Sequence, residues 1–402
     1  MIFRKISVLP LVLGAFTIMT NPAWADAQTE WLKKAQLGSF APKQQDWKAI
    51  EAAARKEGKV TVYSVSSRIF KLQKTFKEKY GVEIEAFDIA SDVQLEKFRR
   101  EHKAKIYKVD VLFNNETPMM VNEFLPRKML WNFVPDSIAP YLEAHEKQPL
   151  LVQRWSSRVL FYNEVKYPNG APIDNLWDLT RKEWSKRVLI PNPLEGTIQA
   201  NALQTILQNP KAMAAAYKAE FGKEVEYSKG LKKALKKTPA LGKADAAKEW
   251  LFRLLKNKPL FLGSTTKIYR NVSDVRQATP PLGISTFSKM RKYKKGVLQG
   301  VPAYDVKPVF GVAYPTAMAI ADRAPHPNAA KLLIRYMNDE GIKPWNVIGD
   351  FAARADIAKK QSEEFNTPLL EKLSLWRIDQ THVYDTKYSY LKLYLSLRKY
   401  AK

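Results

Sequence analysis

The stretch WSSRVLFYNEVKYPNGAPIDNLWDLTRKEWSKRVLIPNP, residues 155–193, carries the reading of the fold. Trp155 to Phe161 is strand-like and ends at Tyr162-Asn163. Pro172 to Trp184 reads as a loop with one helical turn, and Arg187 to Pro191 as another strand. Asn192-Pro193-Leu194-Glu195-Gly196-Thr197 then opens a helix over Ile198 to Leu207. Its first turn offers free backbone N–H groups and the positive end of a dipole, which suits an anion; an ordinary capped start is the plainer alternative.

Toward the N-terminus the pattern alternates strand and helix. Asp46 is the expected N-cap of a helix to Arg55, with Trp47, Ile50 and Ala54 at helical spacing and Gly58 as its stop. Strands follow at Lys59–Ser64, Val82–Phe87 and Val109–Phe113, separated by helices Ile69–Lys79 and Asp92–Lys103, the latter with Ser91 placed to cap it. This β-α-β-α-β order implies parallel strands with crossover helices. Ligands bind such sheets beyond the carboxyl ends of the strands. The loops there, Ser64–Arg68, Asp88–Ser91 and Asn114–Thr117, supply Ser64, Ser66, Ser67, Arg68, Ser91, Asn114 and Glu116 as candidates. None is a glycine-rich phosphate cradle. Arg68 is either a ligand contact or a surface residue beside the cleft.

Toward the C-terminus the same logic repeats as a second lobe. Ala244 to Leu255 is an amphipathic helix, and Leu260-Phe261-Leu262-Gly263 leads into the polar turn Ser264-Thr265-Thr266-Lys267. Glu195, Gly196, Thr197, Ser264, Thr265 and Thr266 are the candidates from this half. Glu195 and Glu116 are placed to accept sugar hydroxyls or to ligate a metal. Ala317 to Ile320 reads as a strand returning to the first lobe, and Ala329 to Met337 as a helix. Gly341 to Ile357 is irregular, and the chain from Pro368 onward is helical.

Composition sets the compartment and the partners. Arg4 and Lys5, the apolar run Ile6–Met19 and Ala23-Trp24-Ala25 form a secretory signal peptide with cleavage expected after Ala25. The mature chain is expected in the periplasm as a monomer. It has no cysteine, which excludes disulfides, thiol nucleophiles and a lipidated N-terminus. The net charge of +26 points to anionic partners, although the lysines of Lys218–Lys258 fall mostly on helix-like sequence as solvated faces. Export and the absence of aromatic interleaving argue against nucleic acid. Ser66 and Ser67 lie in no Gly-x-Ser-x-Gly elbow, and no triad spacing or HExxH helix is present, so no enzyme is expected. His102, His145, His326 and His382 are scattered and read as surface or structural residues. The alternatives are an exported polyanion-binding surface protein and a periplasmic hydrolase.

From Trp155 to Pro193, in "KVTVYSVSS" at 59–67, in the strand Val109–Phe113 and in Ala324–Lys331 with Glu340-Gly341, the sequence resembles type II periplasmic solute-binding proteins of ABC importers, in the group with ferric-iron-binding and organophosphate-binding members. The resemblance implies a two-lobed α/β fold, each lobe a mostly parallel sheet flanked by helices, with a ligand cleft between them. It assigns 26–157 and 308–365 to the N-terminal lobe and 158–307 and 366–402 to the C-terminal lobe, with strand crossings near Arg158 and Val309. It implies a small anionic or iron-containing solute, an ABC permease as partner and no resident cofactor. Ferric-binding relatives use adjacent tyrosines; here the matching segment holds Tyr269 alone, followed by Arg270, so Tyr269 is the one candidate metal ligand, as part of a ferric cargo site. Asp350 and Arg354 fall where relatives bring a late loop to the cleft rim, or pair with each other.

Overall fold

The computed structural model describes residues 22–401. The basic start and apolar run of the expected signal peptide lie outside these residues, and the expected cleavage point falls within the helix Pro22–Ala35.

Among the described residues twelve strands run in chain order: β1 (Lys59–Ser64), β2 (Glu83–Asp88), β3 (Val111–Asn114), β4 (Leu130–Trp131), β5 (Leu151–Asn163), β6 (Val188–Pro191), β7 (Leu260–Leu262), β8 (Leu282–Thr286), β9 (Gly300–Pro302), β10 (Gly311–Ala321), β11 (Asp350–Ala352) and β12 (Leu375–Arg377). Local chemistry starts and stops the elements between them. The Asp46 carboxylate accepts the Ala49 N–H at 3.0 Å and caps the helix Trp47–Glu57. Gly58, at φ 74°, ends that helix in a left-handed turn that a side chain would strain, and delivers the chain into β1. Ser91 does not cap the next helix. It is the first helical residue of Ser91–Lys103, and its hydroxyl donates to the Asn115 side chain.

The two halves, each with the expected sheet, are joined through crossing strands into one continuous sheet. Its order is β2-β1-β3-β10-β5-β8-β6-β7. β1 is parallel to β2 and β3, and β6 is parallel to β7 and β8, as the β/α alternation requires. The physical reason for the fusion is the length of β5 and β10. At ~3.3 Å per residue, the 13 residues of β5 reach ~40 Å, enough to serve both halves. The two strands pair antiparallel from Gly311↔Val159 to Met318↔Leu151.

One core cluster follows this continuity, joining Val62, Phe113 and Leu333 of the first half to Phe161, Leu189 and Ile268 of the second. A second fills the second half around Trp177, Trp250 and Leu251, and a third lies under the helix Ser91–Lys103. The 21-residue helix Gln380–Tyr400 touches both halves. The Asn122 amide donates to the Gln380 carbonyl at 3.1 Å and Thr381 donates back at 3.0 Å, while Ser396 donates to the Ala234 carbonyl at 3.2 Å. Two histidines are structural: His326 pairs with Asp110 at 2.9 Å and His102 with Asp322 at 3.2 Å.

Candidate binding cleft

Successive residues of a strand point to opposite faces, so Arg154, Ser156, Arg158 and Leu160 share one face of β5. Cross-strand pairing brings Tyr314 of β10 and Asp350 of β11 beside Ser156, and Thr286 of β8 beside Arg158. A chain of side chains crosses this face. Arg68, from the loop after β1, pairs with Asp350 at 3.1 Å. The other Asp350 oxygen accepts from the Ser156 hydroxyl at 2.7 Å. Two residues along, the Arg158 guanidinium donates to the Thr286 hydroxyl and, at 3.5 Å, to Gln199 of the helix Thr197–Leu207. The Thr286 hydroxyl meets that of Thr265 at 3.3 Å. Candidates from both halves, Arg68 and Thr265, therefore stand at the two ends of one polar track.

The track is rich in cations. Arg154 is buried beside the edge-on pair Phe113 and Trp345, 5.1 and 5.7 Å from their ring centres, and burial pushes its guanidinium down to about 10 against the counter-pull of Asp350. The Arg158 guanidinium lies 5.3 Å from the centre of the Tyr314 ring. The segment after β8 adds Lys289 and Arg291. Burial, then the fields of Arg291 and Arg158, hold Lys289 down at about 8. Burial and the field of Arg68 also lower Arg291. Arg68, Arg154, Lys289 and Arg291 thus feel Asp350, the single carboxylate among these residues, and Arg158 stands two residues along the same face. The Nε atoms of Arg154 and Arg158 are buried without a hydrogen-bond partner among the described residues. Buried donors in this state are costly unless a guest accepts from them.

A second contact joins the halves. Glu116, after β3, is buried and accepts from the Asn201 amide at 3.0 Å, with Thr197 also bonded to it. Burial raises its carboxyl above the ordinary range, and Lys387 pulls the other way.

The remaining candidates divide. Ser67 is exposed at the start of the turn Ser67–Leu72, and Ser66 accepts from the Trp345 indole at 3.2 Å. Ser64 bonds to the Ser66 backbone, and the Asn114 side chain ties Ser91 to the Glu116 N–H, so these residues shape their loops. Glu195 is exposed and bonded to Asn192 at 2.6 Å, and Gly196 is the N-cap of the helix Thr197–Leu207. Ser264 caps the helix Thr265–Ser273, and Thr266 is half-buried in its first turn.

Tyr269 is a correction. It is fully buried, donates its hydroxyl to the Gly300 carbonyl at 3.1 Å and stands edge-on to Phe161 at 5.2 Å. Burial pushes it up to about 12. Its neighbours Ile268 and Val272 share its inward face, a helical spacing that marks the core. Asp350 and Arg354 do not pair with each other either; Arg354 binds Asp339 and Asp356 at 3.0 and 2.8 Å. Among the described residues, one acidic group has metal-like spacing, Asp174, Asp178 and Glu220, and Arg181 bridges the last two.

A sheet shared by two α/β halves, with a polar track where two long strands cross, defines the two-lobed periplasmic-binding-protein fold. Solved structures of that fold are similar to this chain. Iron-bound HitA from Pseudomonas aeruginosa matches with a TM-score of 0.59 at 17% identity, over 84% of this chain and 99% of its own. The apo ferric ion-binding protein A of Pasteurella haemolytica matches at 0.57 and 15%, over 86% and 99%. The spermidine/putrescine ABC transporter substrate-binding protein PotD of Streptococcus pneumoniae matches at 0.56 and 14%, over 86% and 99%. No protein-family model matches the sequence, and no curated protein does.

Arg154, Arg158, Lys289, Arg291 and Asn201 stand in the candidate cleft and were not among the site residues singled out from the sequence. The signal for the first two was present: two arginines at even spacing, on the same face of a long strand whose pattern reads as buried.

Proposed function

We propose that this protein is the exported solute-binding component of an ABC importer, that it captures a small anionic solute on the polar face of β5, and that it delivers the solute to a membrane permease. The charge set carries this reading. Arg68, Arg154, Lys289 and Arg291 share a single carboxylate, Asp350, and Arg158 adds a further cation on the same face of β5, so the floor holds more positive charge than it neutralises. Guanidinium groups bind carboxylates and phosphates through paired N–H donors, and exclusion of water strengthens each bond. A polyamine would need the opposite charge. A ferric cargo would need phenolate or carboxylate oxygens, and burial of Tyr269 removes the candidate phenolate. The Glu116–Asn201 bond supports closure of the lobes over the floor.

A thermal-shift screen of the purified protein tests the reading, using inorganic phosphate, a hexose phosphate, citrate, spermidine and ferric citrate. An anion at ~100-fold excess over its dissociation constant should stabilise the fold by ~2.7 kcal/mol. The shift should disappear in Arg158→Gln. A shift with spermidine and none with any anion overturns the proposal.

A further inference from the structure

The face of β5 that carries Arg154, Ser156 and Arg158 does not end at the arginine. The next residue on it is Leu160, flanked by Ile284 of β8. There the sheet is roofed by the helices Thr197–Leu207 and Ala246–Lys256, and between roof and sheet lies a cavity of about 70 Å³. Leu160, Ile284, Ala202, Trp250 and Leu254 line it, and Arg158, Gln199 and Tyr394 bring polar groups to its wall, the Tyr394 hydroxyl without a partner among the described residues. Arg158 and Gln199 hydrogen-bond to each other at the edge of the cationic floor. One face of one strand therefore passes from a charged surface to an apolar hole, with a guanidinium at the boundary whose Nε has no partner among the described residues.

We infer that the solute is an amphiphilic anion, a small carboxylate whose head sits on Arg158 and whose short aliphatic tail enters the cavity behind it. This rests on the anion-binding reading and narrows it. Most of the lining is leucine, isoleucine, valine, proline and other apolar side chains, so hydrocarbon in the cavity gains dispersion contacts that polar solvent does not supply. Its volume is about half that of the ~150 Å³ engineered cavity that takes up benzene, which favours a short chain over a ring. A free anion such as phosphate would use the head position and leave the cavity empty.

A chain-length series on the unmodified protein decides the matter. Calorimetric affinities are measured for acetate, butyrate, hexanoate and octanoate, with inorganic phosphate as the tail-less reference. Affinity should rise about 4-fold per methylene until the cavity is full, and then level off or fall. Ala202→Leu, which fills the cavity from its helical wall, should flatten the series and leave acetate and phosphate binding unchanged. Arg158→Gln should weaken every member. Tight binding of phosphate and acetate with no gain from added methylenes overturns this inference and leaves the anion reading standing. No binding of any anion, phosphate included, overturns both. An unflattened series in folded Ala202→Leu, checked by its circular dichroism spectrum, places the tail elsewhere and also overturns the inference.

Discussion

Asn201 donates its side-chain amide to the Glu116 carboxylate at 3.0 Å, across the gap between the segment after β3 and the helix Thr197–Leu207. Burial raises the Glu116 carboxyl above its ordinary value of 4.5. A carboxyl raised in the folded state binds more protons there than in the unfolded chain, so its contribution to stability is present at low pH and is lost as pH rises through the folded value. Glu116→Gln keeps a neutral acceptor for Asn201 and removes the titration. Denaturant unfolding at a series of pH values above 4.5 should show the variant gaining on the wild type as pH rises, with no such trend at Ala controls on the surface.

The Arg68–Asp350 pair is the one point where the cationic floor is balanced, and the Asp350 side chain is only 5% exposed. Removing one partner of a buried pair strands the other and typically costs ~3–5 kcal/mol. Asp350→Asn should lose about that much stability in low-salt buffer. Because the stranded groups are cations, phosphate or citrate should restore more of the variant's melting temperature than of the wild type's. Equal gains in the two proteins would contradict the assignment of the floor.

Lys289 supplies a pH signature. Its ammonium is held down at about 8 in the folded protein, against an ordinary 10.5. Anion affinity should therefore fall as pH rises through about 8. An anion favours the charged amine, so binding near this pH takes up a proton. Calorimetry in two buffers of different ionisation enthalpy should give different apparent heats for the wild type and the same heat for Lys289→Met. The folding term has the opposite sense: with its proton lost more readily in the fold, Lys289 favours the native state increasingly between about 8 and 10.5.

Tyr269→Phe should behave as a core substitution. It leaves the Gly300 carbonyl without its donor at a cost of ~1–3 kcal/mol and keeps the edge-on contact with Phe161. Affinity for anions should be unchanged, and the wild type mixed with ferric citrate should develop no phenolate charge-transfer band.

Much of the framework was legible because its causes are local. Asp46 and Gly58 bracket a helix through a cap and a positive φ, and β1 and β2 alternate in a pattern that needs no distant partner to interpret. Of the loop candidates, Arg68 and Thr265 fall on the track, while Ser64, Asn114 and Glu195 bond within their own loops. What escaped depends on pairing between distant segments. Ser156 meets Asp350 and Arg158 meets Thr286 only because β11 and β8 share β5, and no spacing within the chain announces that register. Lys289 and Arg291 likewise matter through the arginines they face. Tyr269 was misread for the converse reason: its place among Ile268 and Val272 was a local signal, and the family pattern outweighed it.

The helix Gln380–Tyr400 sets a condition on any hinge motion. It is anchored at its start to Asn122 and near its end to Ala234, on opposite sides of the crossing strands. On the proposed closure, a swing that parts Glu116 from Asn201 would have to bend this brace or slip one of its moorings, and the amplitude of opening would be governed from outside the cleft as well as from within it.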